Sequence, residues 1–448
     1  FFGAVAGIFM AVDGLAIVES RTGVIDIIAV FYAVAAVYAF LLHWQARTRR
    51  QWTATLYVFA LTLGLAFGAK LTAIAPLVVA AVLIAGRYLE PLVLRLFPGA
   101  RRVAGPGGGE AVMWRSAVGR RALLHYPLAG LVVLAVFTAS YSRYLTIDHS
   151  VPNFASCSPQ TNLIADPANP STLLHHPTLS QDGRPGASAS LPQRVGWLVT
   201  DSVAAIAGHT QSSLKYHSVE CRDHPYASRW YTWPGIAHPV LFYADYSSFT
   251  SQNGASEVGF IANLGNPAMW WLAIPALLFC IWAMTRGPLL LRAGLMALLA
   301  VALAVLITVF HVLEQPAVSV TSGSNTTTYI VPIGWSASLV IAIGLMIVAA
   351  VAAVFCAVVM RRFAPAFIVL AYLTAWLMWM PGNKDRVLFL YHMLGALPFM
   401  ALGLAYALTA VRGVVIGAGT RYAVSLRPVA WAGVGAVVAA FIFFYPIW

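Results

Sequence analysis

The chain has 448 residues, of which 60% are hydrophobic and 9% are charged, and its mean hydropathy is +0.78. A soluble globular protein is excluded, because its surface needs far more charge, and long apolar runs favour transmembrane helices over a β-barrel. The net charge of +12 is typical of Arg-rich cytoplasmic loops and does not by itself indicate nucleic-acid binding.

Apolar stretches long enough to cross a bilayer predict an all-α polytopic membrane protein with about 11 transmembrane helices. In chain order they are 1–17, 23–45, 54–69, 70–86, 122–141, 262–285, 293–314, 331–359, 364–380, 387–411 and 429–447. The stretch 54–86 is divided at Lys70, because a single crossing would put the Arg clusters before and after it on opposite sides of the membrane.

Arg residues in the connecting loops orient the chain. They form clusters on one side, predicted to be the cytoplasm, within 47–50, 87–121, 286–292, 361–362 and 412–427. The polar segments fall on the other side, and they are 19–23, Lys70, 142–261, 319–329 and 381–392. Polar residues collected on one membrane face indicate a functional site there.

The layout predicts three regions: an N-terminal transmembrane part (1–141), an extracytoplasmic loop (142–261) and a C-terminal transmembrane bundle (262–448). Within the loop, an interfacial helix is predicted from residue 195 onward. The loop also holds CRDHPYASRWYTWPG (221–235), which is unusually polar and aromatic for this chain. Such a segment is either an aromatic belt at the membrane interface or part of the wall of an active site.

Four cysteines are present. Cys157 and Cys221 share the outer loop, where we predict a disulfide, and Cys280 and Cys356 lie in predicted spans. No Cys/His spacing typical of zinc and no complete phosphate-binding Gly-rich motif occurs, so neither a metal nor a nucleotide cofactor is predicted. The chain has no internal repeat, which favours an enzyme acting on a lipid-linked substrate over a transporter.

Five stretches together resemble the protein O-mannosyltransferase family, in particular its bacterial, actinobacterial-type members, which are C-type membrane glycosyltransferases. They are AVDGLAIVESRTGVIDIIAVFY (11–32), LTLGLAFGAKLTAI (61–74), YHSVECRDHPYASRWYTWP (216–234), IANLGNPAMWW (261–271) and VLFLYHMLGALPFMALGLAYAL (387–408). Each is weak alone, whereas five in family order are specific. The resemblance implies the C-type glycosyltransferase fold.

The chain departs from the family pattern near its start. The family's first outer loop carries an Asp-Glu pair that serves catalysis, and that loop would precede Phe1. We therefore expect an N-terminally truncated chain whose general base lies upstream, and we expect the chain alone to be inactive. The hairpin around 293–359 looks like an insertion relative to shorter family members.

The resemblance implies transfer of mannose from polyprenyl phosphate mannose to Ser or Thr hydroxyls of exported proteins, with inversion, at the outer face of the plasma membrane. Implied partners are the lipid-linked donor, unfolded or exported acceptor proteins, the secretion translocon and membrane lipids, without nucleic acid or metal. The alternatives are a membrane glycosyltransferase for another polyprenyl-linked sugar and a non-enzymatic transporter.

The candidate catalytic residues are Arg21, Asp26 and Glu19. Arg21 matches the family's Ser-Arg motif, which implies contact with the donor phosphate, and a planar guanidinium suits phosphate; the alternative is an Arg that snorkels to the interface. Asp26 lies about one helical turn into the membrane, so it needs a partner such as Arg21 or Lys70. Asp13 is expected to be buried and hydrogen-bonded.

The candidate substrate-binding residues come from three distant stretches of the outer face. Aromatic faces suit the C–H surfaces of sugars, and we expect the aromatic members to form a wall over a cavity. Lys70 is a phosphate or carboxylate partner or else snorkels, and a His at a helix entry is otherwise structural. The set comprises Lys70, His224, Arg229, Trp230, Trp233, Tyr391 and His392.

Overall fold

A computed structural model describes residues 1–96, 119–141, 150–152, 154–156, 164–165, 173–175, 186, 188–219, 226–245, 259–286, 317–322, 325–330, 347, 350–379, 388–416 and 423–448. The predicted span 293–314 and most of the first half of 331–359 lie outside these residues. His224, Cys157 and Cys221 also lie outside them, so the predicted disulfide stays a prediction.

The described chain is mainly helical. Its helices are α1 (Phe2–Ala11), α2 (Gly14–Arg21), α3 (Ile25–Trp44), α4 (Arg49–Ala69), α5 (Ala75–Leu96), α6 (Gly119–Ser140), α7 (Leu191–Val219), α8 (Pro267–Met284), α9 (Phe363–Leu377), α10 (Leu397–Arg412) and α11 (Arg427–Phe444). Further helical segments are three 3-10 helices, Trp230–Gly235, Leu390–Gly395 and Tyr445–Ile447, and Ala350–Val359, which ends in a π turn.

Several helices in the described residues are long and apolar enough to cross a membrane. Six qualify, namely α3, α4, α5, α6, α8 and α11, and α1 with α2 would add a seventh as a broken span bent by 55°. The multi-pass architecture is therefore confirmed, but the described residues do not reach the predicted count. The predicted spans 364–380 and 387–411 contain α9 and α10, which have 15 and 16 residues and reach only about 23 Å, short of the roughly 30 Å hydrocarbon layer.

The division of 54–86 into two helices is confirmed, since α4 and α5 are separate candidate spans. Local sequence explains where α4 begins and ends. Thr48 accepts a hydrogen bond from the backbone N–H of Gln51, and the Gln51 side chain accepts one from the backbone N–H of Thr48, which makes a capping box. At the other end Lys70 has extended backbone angles, so the helix stops there and the Lys70 side chain stands at the end of α4.

The prediction of an all-α chain is wrong in detail. Five two-stranded antiparallel sheets connect helices: β1 (Ser150–Pro152) with β4 (Leu173–His175), β2 (Phe154–Ser156) with β3 (Ile164–Ala165), β5 (Val240–Asp245) with β6 (Gly259–Asn263), β7 (Ala317–Ser322) with β8 (Asn325–Ile330), and β9 (Val415–Ile416) with β10 (Val424–Ser425). The β7–β8 hairpin occupies the Ser/Thr-rich loop, whose β-branched residues favour strands. A search for apolar runs does not detect short strands in polar loops.

The helices other than α7 share one continuous buried core, in which α3 packs on α4, α4 on α6, and α10 on α1, α8, α9 and α11. Many large apolar side chains instead point outward and are exposed, as expected where helices face lipid. They include Ile28, Phe31, Tyr38, Leu42, Leu131, Leu134, Ile442 and Phe443.

Side-chain contacts join residues that the sequence assigns to the same side of the membrane. On the side predicted as cytoplasmic, the guanidinium carbon of Arg87 lies 4.7 Å from the ring centre of Trp44. There too, Arg361 Nη2 lies 2.9 Å from Glu90 Oε1. The Asp26–Lys70 contact lies at the other end of α3, where it joins the first turn of α3 to the end of α4. Which end faces the cytoplasm stays a prediction.

Candidate active site

An ion pair joins two of the sequence-predicted residues. Lys70 Nζ, at the end of α4, lies 2.6 Å from Asp26 Oδ1, in the first turn of α3. The side chains of Lys70 and Asp26 are 23% and 12% exposed, so both groups are largely removed from solvent but remain reachable. Asp26 therefore has the partner that its depth requires, and the partner is Lys70.

This ion pair lies in an open cleft. The cleft is lined by the first half of α3, the break between α4 and α5, the end of α9 and the segment leading into α10. Its lining residues include Asp26, Val30, Lys70, Thr72, Pro76, Met378, Trp379, Tyr391, His392 and Phe399. The cleft is mostly apolar, with its charges at one point, a composition that suits a ligand combining an anionic group with apolar surface.

His392 is held in the cleft wall by its own helix turn and by aromatic rings. Its Nδ1 atom lies 3.1 Å from the backbone nitrogen and 3.0 Å from the carbonyl oxygen of Phe389. The ring of Trp233 stacks on it at 5.9 Å with an interplanar angle of 10°, and Trp379 meets it edge-on at 4.2 Å. These contacts fix the orientation of the imidazole at the cleft surface.

The segment after residue 225 is docked beneath this wall rather than spread over the cleft. The backbone N–H of Ser228 donates to the carbonyl oxygen of Leu388 at 2.8 Å, and Trp376 Nε1 donates to the carbonyl oxygen of Trp230 at 2.9 Å. Trp230 and Trp233 are fully buried. Neither lines the cleft, so the expectation that their rings form its exposed wall does not match the structure; the two rings support the wall from behind.

The other two predicted residues of this segment have different positions. Arg229 is partly exposed, and its Nη1 atom lies 3.2 Å from the hydroxyl oxygen of Tyr231. His224 falls outside the described residues. The expected roles of Arg229 and His224 at the substrate therefore stay predictions.

Asp13 connects the first and fourth motifs, and the expectation that it is buried and hydrogen-bonded is confirmed. Its Oδ1 atom accepts from the backbone N–H groups of Leu15 and Ala16, which caps α2. Its Oδ2 atom accepts from the backbone N–H of Asn266 and from Trp270 Nε1, both at 2.8 Å. Gly14 beside it is required, because a Cβ there would lie 2.3 Å from the carbonyl oxygen of Leu264.

Glu19 contacts the same fourth motif from the end of α2. It is fully buried, and its Oε1 atom accepts from Asn263 Nδ2 at 2.6 Å. Glu19 lies outside the six continuous spans. Burial, aided by the negative charge of Asp26, raises the pKa of Glu19 to about 7, while the Asn263 hydrogen bond and Lys70 act in the opposite direction.

Arg21 stands apart from the cleft. It is exposed, and its Nη1 atom donates to the carbonyl oxygen of Trp448. The structure therefore brings Asp26, Lys70, Tyr391 and His392 together, places Glu19 in electrostatic contact with Asp26 and Lys70, and leaves Arg21 outside the lining.

Sequence reasoning missed Asn263 and Trp379. Asn263 lies within the fourth motif, and its amide stands out in the sequence because the strand end around it is otherwise apolar. Trp379 looked like one more aromatic in an apolar run, and nothing in its spacing separated it from core residues. Among the described residues no cluster of three or more His, Cys, Asp or Glu side chains has the geometry to hold a metal ion.

The five motifs thus meet in one region of the fold: Asp26–Lys70 joins the first two, Asp13–Trp270 the first and fourth, and Trp233–His392 the third and fifth. Residues 1–103 match the family model described as dolichyl-phosphate-mannose-protein mannosyltransferase. Over these residues the chain is similar to the protein O-mannosyltransferases.

Curated relatives extend the similarity beyond residue 103. The chain is 27% identical over 309 residues to the polyprenol-phosphate-mannose–protein mannosyltransferase of Mycobacterium tuberculosis, covering 63% of this chain and 50% of that protein. It is 23% identical over 291 residues to the protein of the same name from Mycolicibacterium smegmatis, covering 62% and 50%. The chain therefore spans about half the length of the curated relatives it matches. No solved structure gives a significant match.

Proposed function

We propose that the protein containing this chain transfers mannose from polyprenyl phosphate mannose to Ser or Thr hydroxyls of exported proteins. The observation that carries the proposal is the cleft in which the Asp26–Lys70 pair meets Tyr391 and His392. The family match over residues 1–103 and the names of the mycobacterial relatives support the donor and the protein acceptor.

The donor has two parts that this cleft suits. Its phosphate needs a cation, and Lys70 is a partly exposed cation in the cleft, 2.6 Å from a carboxylate. Its isoprenoid chain needs apolar surface, which α3 supplies through Val30, Val34 and Val37. We therefore place the phosphate near Lys70 and the first isoprene units along α3.

The proposed reaction is a displacement with inversion at the anomeric carbon. The bond from the acceptor hydroxyl oxygen to that carbon forms as the bond to the phosphate oxygen breaks, and the departing polyprenyl phosphate keeps the electron pair. Lys70 stabilises the negative charge that develops on the phosphate, and the family's Ser-Arg motif implies a contribution from Arg21, which lies outside the lining of the cleft. The hydroxyl proton passes to a general base, for which the family resemblance implies a carboxylate.

The cleft wall would serve the sugar and the acceptor. Tyr391 and His392 offer a hydroxyl and an imidazole on a surface fixed by Trp233 and Trp379. Fixed donors and acceptors of this kind orient a sugar without losing side-chain entropy on binding. The site would open to the outer face of the plasma membrane, an orientation that the arrangement of the Arg clusters supports.

The proposal is tested with the full-length protein in isolated membranes. Polyprenyl phosphate carrying radiolabelled mannose is supplied with a Ser/Thr-containing peptide, and the labelled peptide is digested with an α-mannosidase. We expect label on the peptide and its release by the enzyme. Transfer from polyprenyl phosphate glucose but not mannose would instead support a glycosyltransferase for another sugar, and no transfer from either donor would contradict the proposal.

A further inference from the structure

Two buried oxygen atoms near the cleft lack a hydrogen-bond donor. In the part of the chain that the structure describes, Glu19 Oε2 and Asn263 Oδ1 are both buried without a partner. They belong to two side chains that already contact each other, since Asn263 Nδ2 donates to Glu19 Oε1 at 2.6 Å. A buried acceptor without a donor is costly, and two on one contacting pair point to a missing hydrogen.

A single proton supplies what both atoms lack. A protonated carboxyl group has one O–H donor and one remaining acceptor, whereas a primary amide has N–H donors and one carbonyl acceptor. The two groups are therefore complementary when the carboxyl group is neutral. When the carboxyl group is ionised it has acceptors only, and Asn263 Oδ1 stays unpaired.

We propose that Glu19 is a neutral acid in the folded protein and forms a two-bond acid–amide pair with Asn263, which makes Asn263 a positioning residue for the Asp26–Lys70 site. Glu19 Oε2–H donates to Asn263 Oδ1 while Asn263 Nδ2 donates to Glu19 Oε1. Full burial of both side chains supports the neutral form, because a buried charge without its own counterion is strongly disfavoured.

The charges around Glu19 agree with a neutral acid. Of the elements packed against α2, α1 and β6 carry no titratable side chain, and the 390–395 helix brings Tyr391 and His392. From α3 comes Asp26, which repels a second anion, while Lys70 at the end of α4 is already paired with Asp26. Burial and the Asp26 charge also raise the pKa of Glu19.

If the proposed function holds, the protonation state of Glu19 affects how well the cleft binds the donor phosphate. With Glu19 neutral, Asp26 and Lys70 balance each other and the cleft carries no net negative charge from these three groups. Ionisation of Glu19 would add a negative charge beside the position assigned to the donor phosphate. The proposed bond from Glu19 Oε2–H to Asn263 Oδ1, which only the neutral acid can form, would therefore help to preserve the affinity of the site for an anion as the pH rises.

The test of the acid–amide pair needs no transfer activity. The full-length protein is compared with E19Q, N263D and the exchanged variant E19Q/N263D by thermal unfolding in detergent between about pH 5 and pH 9. A neutral buried Glu19 contributes stability below its unfolded pKa and loses that contribution as the pH rises through its folded pKa. The advantage of E19Q over wild type should therefore grow between pH 5 and pH 8 and then level off.

The exchanged variant separates the pair from either residue alone. N263D places two carboxyl groups together and should unfold at a lower temperature at neutral pH, whereas E19Q/N263D rebuilds an acid–amide pair and should recover most of the loss. An E19Q variant that is less stable than wild type by the same amount at every pH would overturn the proposal. So would an exchanged variant no more stable than N263D.

Infrared spectroscopy of the wild type gives an independent measurement. The carbonyl stretch of a protonated carboxyl group should be present at neutral pH, disappear at high pH and be missing from E19Q. The positioning role is tested by the pH dependence of the transfer rate. The alkaline limb of this profile should shift in the exchanged variant, and an unshifted limb would overturn the positioning role. Because unfolding and infrared signals are independent of transfer, their failure is distinguishable from failure of the proposed mannosyl transfer.

Discussion

Replacing Lys70 with Met tests whether the cation in the cleft binds the donor or only neutralises Asp26. Met keeps most of the apolar stem of Lys70 and removes its charge. If Lys70 stabilises the leaving phosphate, K70M should lower kcat/KM for transfer by about 10²–10³, the effect of removing one positioned charge-stabilising group, or about 3–4 kcal/mol.

The stability cost of the same change follows from the geometry. At 2.6 Å the attraction between the two charges is roughly 6 kcal/mol at an effective dielectric constant of 20, before desolvation is subtracted. Exposed pairs retain about 0–1 kcal/mol, and breaking a fully buried pair costs about 3–5 kcal/mol. With side chains 23% and 12% exposed, we expect K70M to lower the free energy of unfolding by about 1–3 kcal/mol.

The double variant D26N/K70M distinguishes the two roles. Removing both charges leaves no unpaired buried carboxylate, so most of the stability should return. Transfer should not return if Lys70 binds phosphate. The assay is mannose transfer from radiolabelled donor in membranes holding the full-length protein, with thermal unfolding of the same variants in detergent. A double variant active within about threefold of wild type would refute the phosphate role, because it would reduce Lys70 to a counterion.

A matched control exists at the other end of the fold. Arg361 and Glu90 form an ion pair at 2.9 Å with side chains 30% and 4% exposed, similar in kind to Lys70–Asp26 but outside the cleft. We expect R361M to lower the unfolding temperature while transfer per folded molecule stays near that of wild type. An equal loss of transfer in R361M and K70M would show that the assay reports stability alone.

Four further predictions concern the rest of the chain. R21A should lower transfer by about 10²–10³ and leave the unfolding temperature nearly unchanged, because Arg21 is exposed; activity within about threefold of wild type would rule out the phosphate role. Cysteines introduced at position 229 should be labelled from outside and those at 101 and 361 from inside, and labelling of 229 and 361 from the same side would contradict the topology. Cys157 and Cys221 should be linked, which a mobility shift on reduction would show and two freely alkylated thiols would refute. D13A should lower the free energy of unfolding by more than about 3 kcal/mol, because it leaves buried N–H donors of Leu15, Asn266 and Trp270 without their charged acceptor; a loss below about 1 kcal/mol in thermal or denaturant unfolding would contradict this.

The sequence was most informative where one property decides the structure. Apolar runs located α3, α4, α5, α6, α8 and α11 because the bilayer imposes a length and excludes charge. The position of Lys70 between two apolar runs correctly divided α4 from α5. The same rule overestimated the lengths of the helices in 364–380 and 387–411. A helix surrounded by other helices, such as α9, is as apolar as one facing lipid, but it is not required to match the bilayer thickness.

The candidate site, too, was predictable from the sequence only in part. Asp26 required a partner on energetic grounds, and Lys70 was one of its two candidate partners, so this pairing was predictable. The orientation of Trp230 and Trp233 was not, because an aromatic ring is equally compatible with burial and with sugar contact. Asn263 became meaningful only when the structure placed its amide against Glu19, since neutral side chains give no long-range signal in a sequence.

The hydrogen bonds of Asp13 also bear on the order in which the chain is assembled in the membrane. Asp13 and Asn266 are 253 residues apart, so at synthesis rates of 5–20 residues per second about 10–50 seconds separate their appearance. Throughout that interval α1 and α2 have left the ribosome while the acceptor oxygen Oδ2 awaits both of its distant donors. Asp13 is therefore hydrated or held by the insertion machinery until the donors on Asn266 and Trp270 have been made. Only then does α2 take its final place, long after its own residues were synthesised.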